Sequence, residues 1–240
     1  MINIIRKAVT MYGAIAATEM IGLYRAIAQN GCFITKGIGV DLGSHAGRSS
    51  IIAVNALNQF SPFFDKFYMV DPLYDFQNAD WTDTYQKTPD KVPWGYSRDT
   101  HFLSNVFIDV SSRTHIPVEM YGGSSRQFFK KLPVDSKINY VFIDSDDHDE
   151  KLVQFEIDNL QHLLNPGALI FFHDFNGPIQ GPKNVYDRML SSGKYTPIEF
   201  DWQTSYNIYE AYKKELPKDE NNWHMKHQQY NNYIGGLIKK

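Results

Sequence analysis

The sequence predicts an α/β fold in which helices cover both faces of a mostly parallel β-sheet. Two observations support this prediction. Short apolar segments of strand length alternate along the chain with longer segments of helical periodicity. Five of the short segments also end in Asp, Gly or His, and the ends of parallel strands gather at one edge of a sheet.

The 240-residue chain has the composition of a soluble globular protein, with 42% apolar residues and a net charge of −3. Because no repeat or linker divides it, residues 1–240 are expected to form a single domain. No apolar run reaches the about 20 residues of a membrane span, and no basic stripe indicates nucleic-acid binding. Cys32 is the only cysteine, which excludes an internal disulfide and favours a reducing cytoplasm.

Residues 1–34 are predicted to form a helical segment, because apolar residues recur at helical spacing over 4–29. Polar residues at Thr18, Glu19 and Arg25 interrupt the apolar stretch, so it differs from a signal peptide. This amphipathic helix is expected to pack against its own domain or against a second subunit, which leaves a homo-oligomer open.

The next elements are predicted from apolar runs and the residues that end them. A strand at 37–42 leads through a glycine turn into a helix at about 47–59, where a new apolar stretch begins. The second strand, 67–70, is followed by Asp71 and stops at Pro72, which cannot continue a hydrogen-bonded ladder.

Residues 73–100 lack periodicity and are rich in Asp, Thr, Pro and aromatic residues. An irregular stretch of this length is usually a functional loop, with a packing excursion over the core as the alternative. We interpret it as a substrate lid whose acceptor-binding aromatic residues are Trp81, Tyr85, Trp94 and Tyr96.

The alternation of helices and strands resumes after residue 100. Helical periodicity predicts helices at 101–111, 125–131, 149–164 and 185–190. Apolar runs predict strands at 117–121, 138–143 and 168–172, the last of them preceded by a helix-ending Asn-Pro-Gly. Two further strands are predicted at 196–200 and 207–210, ahead of a polar tail at 216–240.

The residues that end the strands form the candidate site. They are Asp41 with Gly43, Asp71, Gly122–Ser125, Asp144 and His173-Asp174. Any one of them is compatible with an ordinary turn, because Asp and Gly are common turn residues. Five such ends on one edge of a parallel sheet indicate a ligand site instead.

The spacing within the first turn separates the ligand classes. Gly43 and Gly47 allow the backbone to approach a ligand closely, but His45 stands where a dinucleotide fold needs its second glycine. A phosphate-binding Walker loop is excluded as well, because Gly47 is followed by Arg48-Ser49 rather than by Lys-Ser.

The motifs at the strand ends resemble those of a known family when they are taken in order. They are Val-Asp-Leu-Gly-Ser-x-x-Gly-Arg-Ser, Met-Val-Asp-Pro, Gly-Gly-Ser-Ser, Val-Phe-Ile-Asp-x-Asp and Asn-Pro-Gly-Ala-Leu-Ile-Phe-Phe-His-Asp-Phe. The set, which covers about residues 35–190, resembles class I S-adenosylmethionine-dependent methyltransferases of the small-molecule O-methyltransferase branch. That branch includes catechol-type enzymes and metal-dependent sugar methyltransferases. The resemblance implies a Rossmann-like, doubly wound, seven-stranded sheet with the last strand antiparallel.

The resemblance also implies S-adenosylmethionine as the cofactor. Its methionine part is expected on the first turn, at Asp41, Gly43, Ser44, Gly47 and Ser49. Asp71 is expected to accept both ribose hydroxyls, as acidic residues do in dinucleotide folds, and Ser124 and Ser125 are expected near the adenine.

Asp144, His173 and Asp174 end adjacent strands and suit a divalent ion, Mg²⁺ or Mn²⁺. In the metal-dependent branch, a carboxylate ending the fourth strand joins two residues ending the fifth, usually acids or amides. His173 departs from that pattern, and it is a candidate for a base as well as for a ligand. The alternative is that Asp144 only ends its strand and contacts the cofactor amine.

A base that deprotonates the acceptor is expected close after Asp144, where the chain offers Asp146, Asp147 and His148. The neutral imidazole of His148 is suited to this role near pH 7. We therefore predict methyl transfer to a hydroxyl of a small acceptor, a sugar or a phenolic natural product. The alternatives are an enzyme of this fold with other chemistry and a cofactor-binding protein without activity.

Overall fold

The computed structural model describes residues 1–11, 15–72, 100–145, 149–176, 180–217 and 233–240. These residues contain seven strands and eight helices. The strands are β1 (Gly37–Leu42), β2 (Phe64–Asp71), β3 (Val118–Gly122), β4 (Ile138–Ile143), β5 (Leu164–Phe172), β6 (Tyr195–Pro197) and β7 (Gly235–Lys239). The helices are α1 (Ile2–Val9), α2 (Ala17–Asn30), α3 (Arg48–Phe60), α4 (Thr100–Ser111), α5 (Ser125–Lys131), α6 (Glu150–Leu160), α7 (Gly181–Ser191) and α8 (Trp202–Tyr212).

The strands form one sheet with the order β3-β2-β1-β4-β5-β7-β6. Strands β1 to β5 are joined by parallel pairs, whereas β7 is antiparallel to both of its neighbours, β5 and β6. The predicted seven-stranded, mostly parallel sheet with an antiparallel last strand is confirmed.

Helices bury both faces of the sheet, as the continuous apolar runs predict. On β4, Tyr140 and Phe142 join a core formed with α1, α2, α3 and α4, while Val141 and Ile143 join the opposite core with α5, α6 and α7. The alternation follows from the two-residue period of a strand, which turns neighbouring side chains to opposite faces.

The N-terminal segment differs from the single helix predicted over 4–29. It forms two helices, α1 and α2, which are separated near residue 10. The buried guanidinium of Arg48 donates hydrogen bonds to the carbonyl oxygens of Met11 and Ile15. In a continuous helix these oxygens would accept from N–H groups of the helix itself, so the contacts with Arg48 explain the break.

The C-terminal region contains the largest error of the sequence-based prediction. Residues 207–210 were expected to be a strand, but they lie within α8, whose first turn is capped by the Asp201 side chain accepting from Thr204 N at 2.9 Å. The seventh strand lies instead at Gly235–Lys239, inside the expected polar tail. The strand predicted at 196–200 is shorter than expected, and the helix predicted at 149–164 ends at Leu160.

Two further expectations concern the predicted lid and membrane-spanning helices. The predicted lid at 73–100 lies outside the described residues, apart from Thr100, which begins α4. No helix within the described part of the chain is both long and apolar enough to cross a lipid bilayer.

Close contact between α2 and α8 fixes the position of α2 against the sheet. A Cβ at Gly22 of α2 would lie 2.4 Å from Cζ3 of Trp202, so the Trp202 ring lies directly on the helix backbone. That ring is stacked on Phe200 with a centroid distance of 4.7 Å and an interplanar angle of 4°. Arg25 adds a hydrogen bond from Nη1 to Asp201 O at 2.8 Å.

We expect Gly22→Ala to lower the free energy of unfolding by about 1–3 kcal/mol, because the methyl group meets a ring that Phe200 holds in place. In an open helix position, the same substitution would stabilise the protein by about 1 kcal/mol. Urea denaturation measures the difference. In the double variant with Trp202→Leu, the cost of Gly22→Ala should largely disappear, and an equal cost in both backgrounds would contradict the packing argument.

Candidate active site

The carboxyl ends of the parallel strands meet at one edge of the sheet. Asp71 at the end of β2 lies opposite Gly122 at the end of β3. Strands β4 and β5 also end level, because Ile143 pairs with Phe172, and Asp144 follows directly. The polar strand ends are therefore brought to one side of the sheet.

The turn between β1 and α3 packs directly on the chain that leaves β4. Gly43 has φ +79°, and a Cβ there would lie 2.1 Å from the backbone oxygen of Asp144, so only glycine fits. His45 and Gly47 also adopt left-handed φ values of 48° and 79°. The turn thus lies with its backbone beside the residue that follows β4.

Asp41 stabilises the first turn of α3 through hydrogen bonds from inside the protein. Its side chain has no exposed surface, and its Oδ2 accepts hydrogen bonds from Ser49 Oγ at 2.7 Å and Ser50 Oγ at 2.5 Å. Burial raises the pKa of Asp41 to about 7, against the two serine hydrogen bonds, and the charges of Asp144 and Asp71 raise it further. Asp41 therefore supports the glycine turn from within the core.

Asp71 lies at the open edge next to the glycine turn. Its Oδ2 accepts a hydrogen bond from the backbone N–H of His45 at 2.8 Å, which fixes the carboxylate relative to the turn. Nearby, Ser124 caps α5 through reciprocal contacts with Gln127: Ser124 N donates to Gln127 Oε1 at 2.8 Å, and the Ser124 hydroxyl accepts from Gln127 N at 3.4 Å. The next residue, Ser125, is buried in the first turn of α5.

Asp144, His173 and Asp174 form one cluster after β4 and β5. Their ligand atoms all lie within 4.8 Å of one another. His173 is 3% exposed, and its Nδ1 lies 3.0 Å from Asp144 Oδ1 and 3.4 Å from Asp174 Oδ2. Asp174 adopts φ 51°, a left-handed conformation that is unfavourable for most side chains and recurs at functional sites.

Glu19 reaches the same cluster from α2. Its Oε2 lies 3.9 Å from His173 Nε2, on the side of the ring opposite the two aspartates. Burial lowers the pKa of His173, but Asp144, Asp174 and Glu19 overcome this effect and hold that pKa well above its ordinary value. The imidazole is thus surrounded by three carboxylates.

Arg48, the first residue of α3, ties the N-terminal segment to the glycine turn. It is 2% exposed, and its guanidinium donates to the carbonyl oxygens of Met11 and Ile15 at 3.0 Å each and of Val9 at 3.3 Å. The segment that supplies Glu19 is therefore anchored beside the turn that follows β1.

A comparison with known protein families identifies the family of the chain. Residues 40–175, more than half of the chain, match the family described as methyltransferase domain. The chain belongs to this methyltransferase family. The predicted activity class, S-adenosylmethionine-dependent methyl transfer, is thereby confirmed, and the match contains every strand end from Asp41 to Asp174.

Two solved structures with TM-scores of 0.50 or more share the fold of this methyltransferase. An O-methyltransferase from Bacillus cereus in complex with SAH is 12% identical, with a TM-score of 0.52 over 93% of this chain and 82% of that chain. A putative O-methyltransferase from Klebsiella pneumoniae is 14% identical, with a TM-score of 0.50 over 81% and 79% of the two chains. CalS11, a TDP-rhamnose 3'-O-methyltransferase, is 15% identical, with a TM-score of 0.46 over 91% and 76%. No curated protein sequence matches the chain.

The ligand atoms of Asp144, His173 and Asp174 are of the types that bind a divalent ion. Two carboxylates and one imidazole are ligands that Mg²⁺ or Mn²⁺ accepts, with oxygen preferred by both ions. Neither ring nitrogen of His173 makes a well-directed hydrogen bond to a described residue, although Asp144 Oδ1 is only 3.0 Å away. The three ligand atoms therefore lie close enough together to bind one cation.

Some of the predicted site residues lie together at the sheet edge, whereas others have side chains buried inside the protein. Ser44 and Ser49 are buried, and the Ser49 hydroxyl is directed to Asp41 inside the protein. The candidate bases Asp146 and His148, with Asp147 between them, lie outside the described residues.

Glu19 and Arg48 have structural roles that the sequence did not reveal. Glu19 was interpreted only as a polar interruption of an apolar helix, yet it is 1% exposed. The apolar residues that follow it, Met20, Ile21 and Leu23, were the feature of the sequence that could have indicated its burial, because they leave little of this helix for a solvated face. Arg48 lies inside the glycine motif, and its burial depends on a segment far away in sequence.

We expect the stability of this methyltransferase to depend on the titration of Asp41. Because its pKa rises from 3.8 to about 7 on folding, the protonated carboxyl stabilises the folded state below about pH 4, and this contribution is lost as the pH rises through about 7. Asp41→Asn does not titrate. The stability of the wild type relative to Asp41→Asn should therefore fall between about pH 4 and about pH 7 in urea denaturation.

Asp135→Asn is the matched control for this comparison, because Asp135 is exposed on the loop before β4. Its stability relative to the wild type should change little over the same range. Parallel pH profiles for the wild type and Asp41→Asn would contradict the assignment of a buried, titrating carboxyl.

Proposed function

We propose that the protein transfers the methyl group of S-adenosylmethionine to a hydroxyl oxygen of a small acceptor, a sugar or a phenol. The observation that carries the proposal is the contact between Gly43 and the backbone of Asp144. It sets the glycine turn directly beside the cluster of Asp144, His173 and Asp174. A methyl donor on the turn and an acceptor at the cluster would thus be neighbours.

The residues at the edge divide the work of binding the methyl donor. We assign the methionine part to the backbone of the turn at 43–47, with Asp41 as the support of the helix turn that follows it. Asp71 is held by His45 N beside the turn, and we assign its carboxylate to the ribose hydroxyls. Ser124 and Ser125, at the start of α5, are assigned to the adenine side of the site.

Asp144, His173 and Asp174 would hold Mg²⁺ or Mn²⁺ through two carboxylates and one imidazole. A divalent ion there would act as a Lewis acid that lowers the pKa of the acceptor hydroxyl and orients it. We assign the removal of the hydroxyl proton to His148 or Asp146, which follow Asp144 closely in sequence. In a site without a metal ion, His173 would be the alternative base among the described residues, because its imidazole would then not be a ligand. Removing the proton turns a weak nucleophile into one that can displace the sulfonium leaving group.

We also propose that residues 1–240 act as one domain. The N-terminal helices α1 and α2 contribute to one of the two cores, and β7 lies between β5 and β6 in the sheet. Within this domain, we assign contact with the sugar or phenol to the segment 73–100, because its sequence is rich in aromatic residues.

We expect the wild-type protein to bind S-adenosylhomocysteine in isothermal titration calorimetry. Asp71→Asn should weaken this binding by about 10- to 100-fold, because one carboxylate oxygen, an acceptor for the ribose, becomes a donor. Asp65→Asn, on the same strand but half-exposed and paired with Lys36 at 3.3 Å, is the matched control and should bind as the wild type does. No binding by the wild type would contradict the cofactor assignment.

We expect methyl transfer to depend on a divalent ion. With labelled S-adenosylmethionine and a panel of phenols and sugars, turnover should be lost in EDTA and restored by Mg²⁺ or Mn²⁺. Asp174→Gly should abolish this dependence together with most activity, and glycine tolerates the left-handed backbone at this position. The exposed Asp187→Asn serves as the control. Turnover that is unchanged in EDTA would show that the metal role is wrong.

A further inference from the structure

Glu19 is a buried carboxylate whose position is fixed by the backbone. Its Oε2 accepts a hydrogen bond from Ala16 N at 2.8 Å, and its Oε1 accepts one from Tyr233 N at 3.1 Å. Ala16 precedes α2, whereas Tyr233 precedes β7. The carboxylate is therefore held between two distant parts of the chain, with little freedom to move.

The same carboxylate faces the outer nitrogen of His173. Glu19 Oε2 lies 3.9 Å from Nε2, while Nδ1 on the other side of the ring faces Asp144 and Asp174. The distance of 3.9 Å is beyond a direct hydrogen bond but within reach of one ion pair or one bridging water. A histidine that binds a metal through one nitrogen commonly has its other nitrogen oriented by a carboxylate.

We propose that Glu19 is a positioning residue for His173. It holds Nε2 toward α2, so that Nδ1 is presented to an ion at Asp144 and Asp174. The proposal rests on the metal site of the proposed function and assigns to the N-terminal segment a part in building it. Arg48 supports this part, because its contacts with the carbonyls of Met11 and Ile15 anchor the chain just before α2.

Glu19 also has a purely structural contribution, since it accepts the N–H of Ala16 at the start of α2. Loss of that contact lowers stability whether or not Glu19 acts on His173. A structural role alone would leave the Mn²⁺ affinity of the folded protein unchanged. The affinity for Mn²⁺ therefore separates the two roles.

The test is a Mn²⁺ titration of the full chain, followed by electron paramagnetic resonance of the free ion. Glu19→Gln keeps the shape of the side chain and removes its charge, and we expect Mn²⁺ affinity to fall by about 10- to 100-fold. Glu19→Asp keeps the charge but shortens its reach, and it should lose less affinity; it also carries the test if the first variant does not fold. Affinity for S-adenosylhomocysteine should stay at the wild-type level in both variants.

Two further variants complete the design. In Asp201→Ala, Thr204 N loses the side-chain oxygen that caps the start of α8. This variant is the control for lost helix capping, and it should bind Mn²⁺ as the wild type does. Asp174→Gly removes a proposed ligand and should lose Mn²⁺ binding. If Asp174→Gly loses Mn²⁺ while both Glu19 variants keep wild-type affinity, the role of Glu19 is overturned and the metal site stands. If the wild type itself binds no Mn²⁺, the metal site is wrong and the role of Glu19 falls with it.

Discussion

Hydrogen bonds between parallel strands determine where the polar side chains of this methyltransferase lie. Because β1 to β5 run in the same direction, the residues that follow them emerge on one side of the sheet. The chain places acids, glycines and one histidine at these points and apolar side chains within the strands. A single sheet edge thereby collects a glycine turn and a cluster of ionisable groups, and the helices on both faces keep water from the strands beneath them.

The N-terminal segment is held to this edge by two charged side chains. The Arg48 guanidinium is buried among backbone carbonyls, whose dipoles replace part of the water that it loses. Glu19 accepts two backbone N–H groups and faces His173. Burying such groups is costly unless they are hydrogen-bonded, so both side chains fix the segment in one place. The region that the sequence presents as a packing helix becomes a wall of the candidate site.

The parts of the fold that could be predicted from sequence are those with a local cause. The run Ile138–Ile143 and the turn at Gly43 carry their own signals, in continuous apolar residues and in a left-handed backbone. β7 carries no such signal, because Gly235 and Gly236 are selected by close contact with Phe175 and Ile198. The burial of Glu19 was likewise not predictable, since it depends on His173 and on the chain before β7. Long-range packing, rather than local preference, decided these positions.

The place of β7 in the sheet has a consequence for the order of folding. β6 is made before β7 but gains its place in the sheet only through hydrogen bonds to β7. Until β7 inserts, the long apolar strand β5 is an open edge with unpaired amides and carbonyls, the kind of surface on which chains aggregate. The nascent methyltransferase therefore stays vulnerable until synthesis passes residue 239, and a stalled or clipped chain would expose β5 to other molecules.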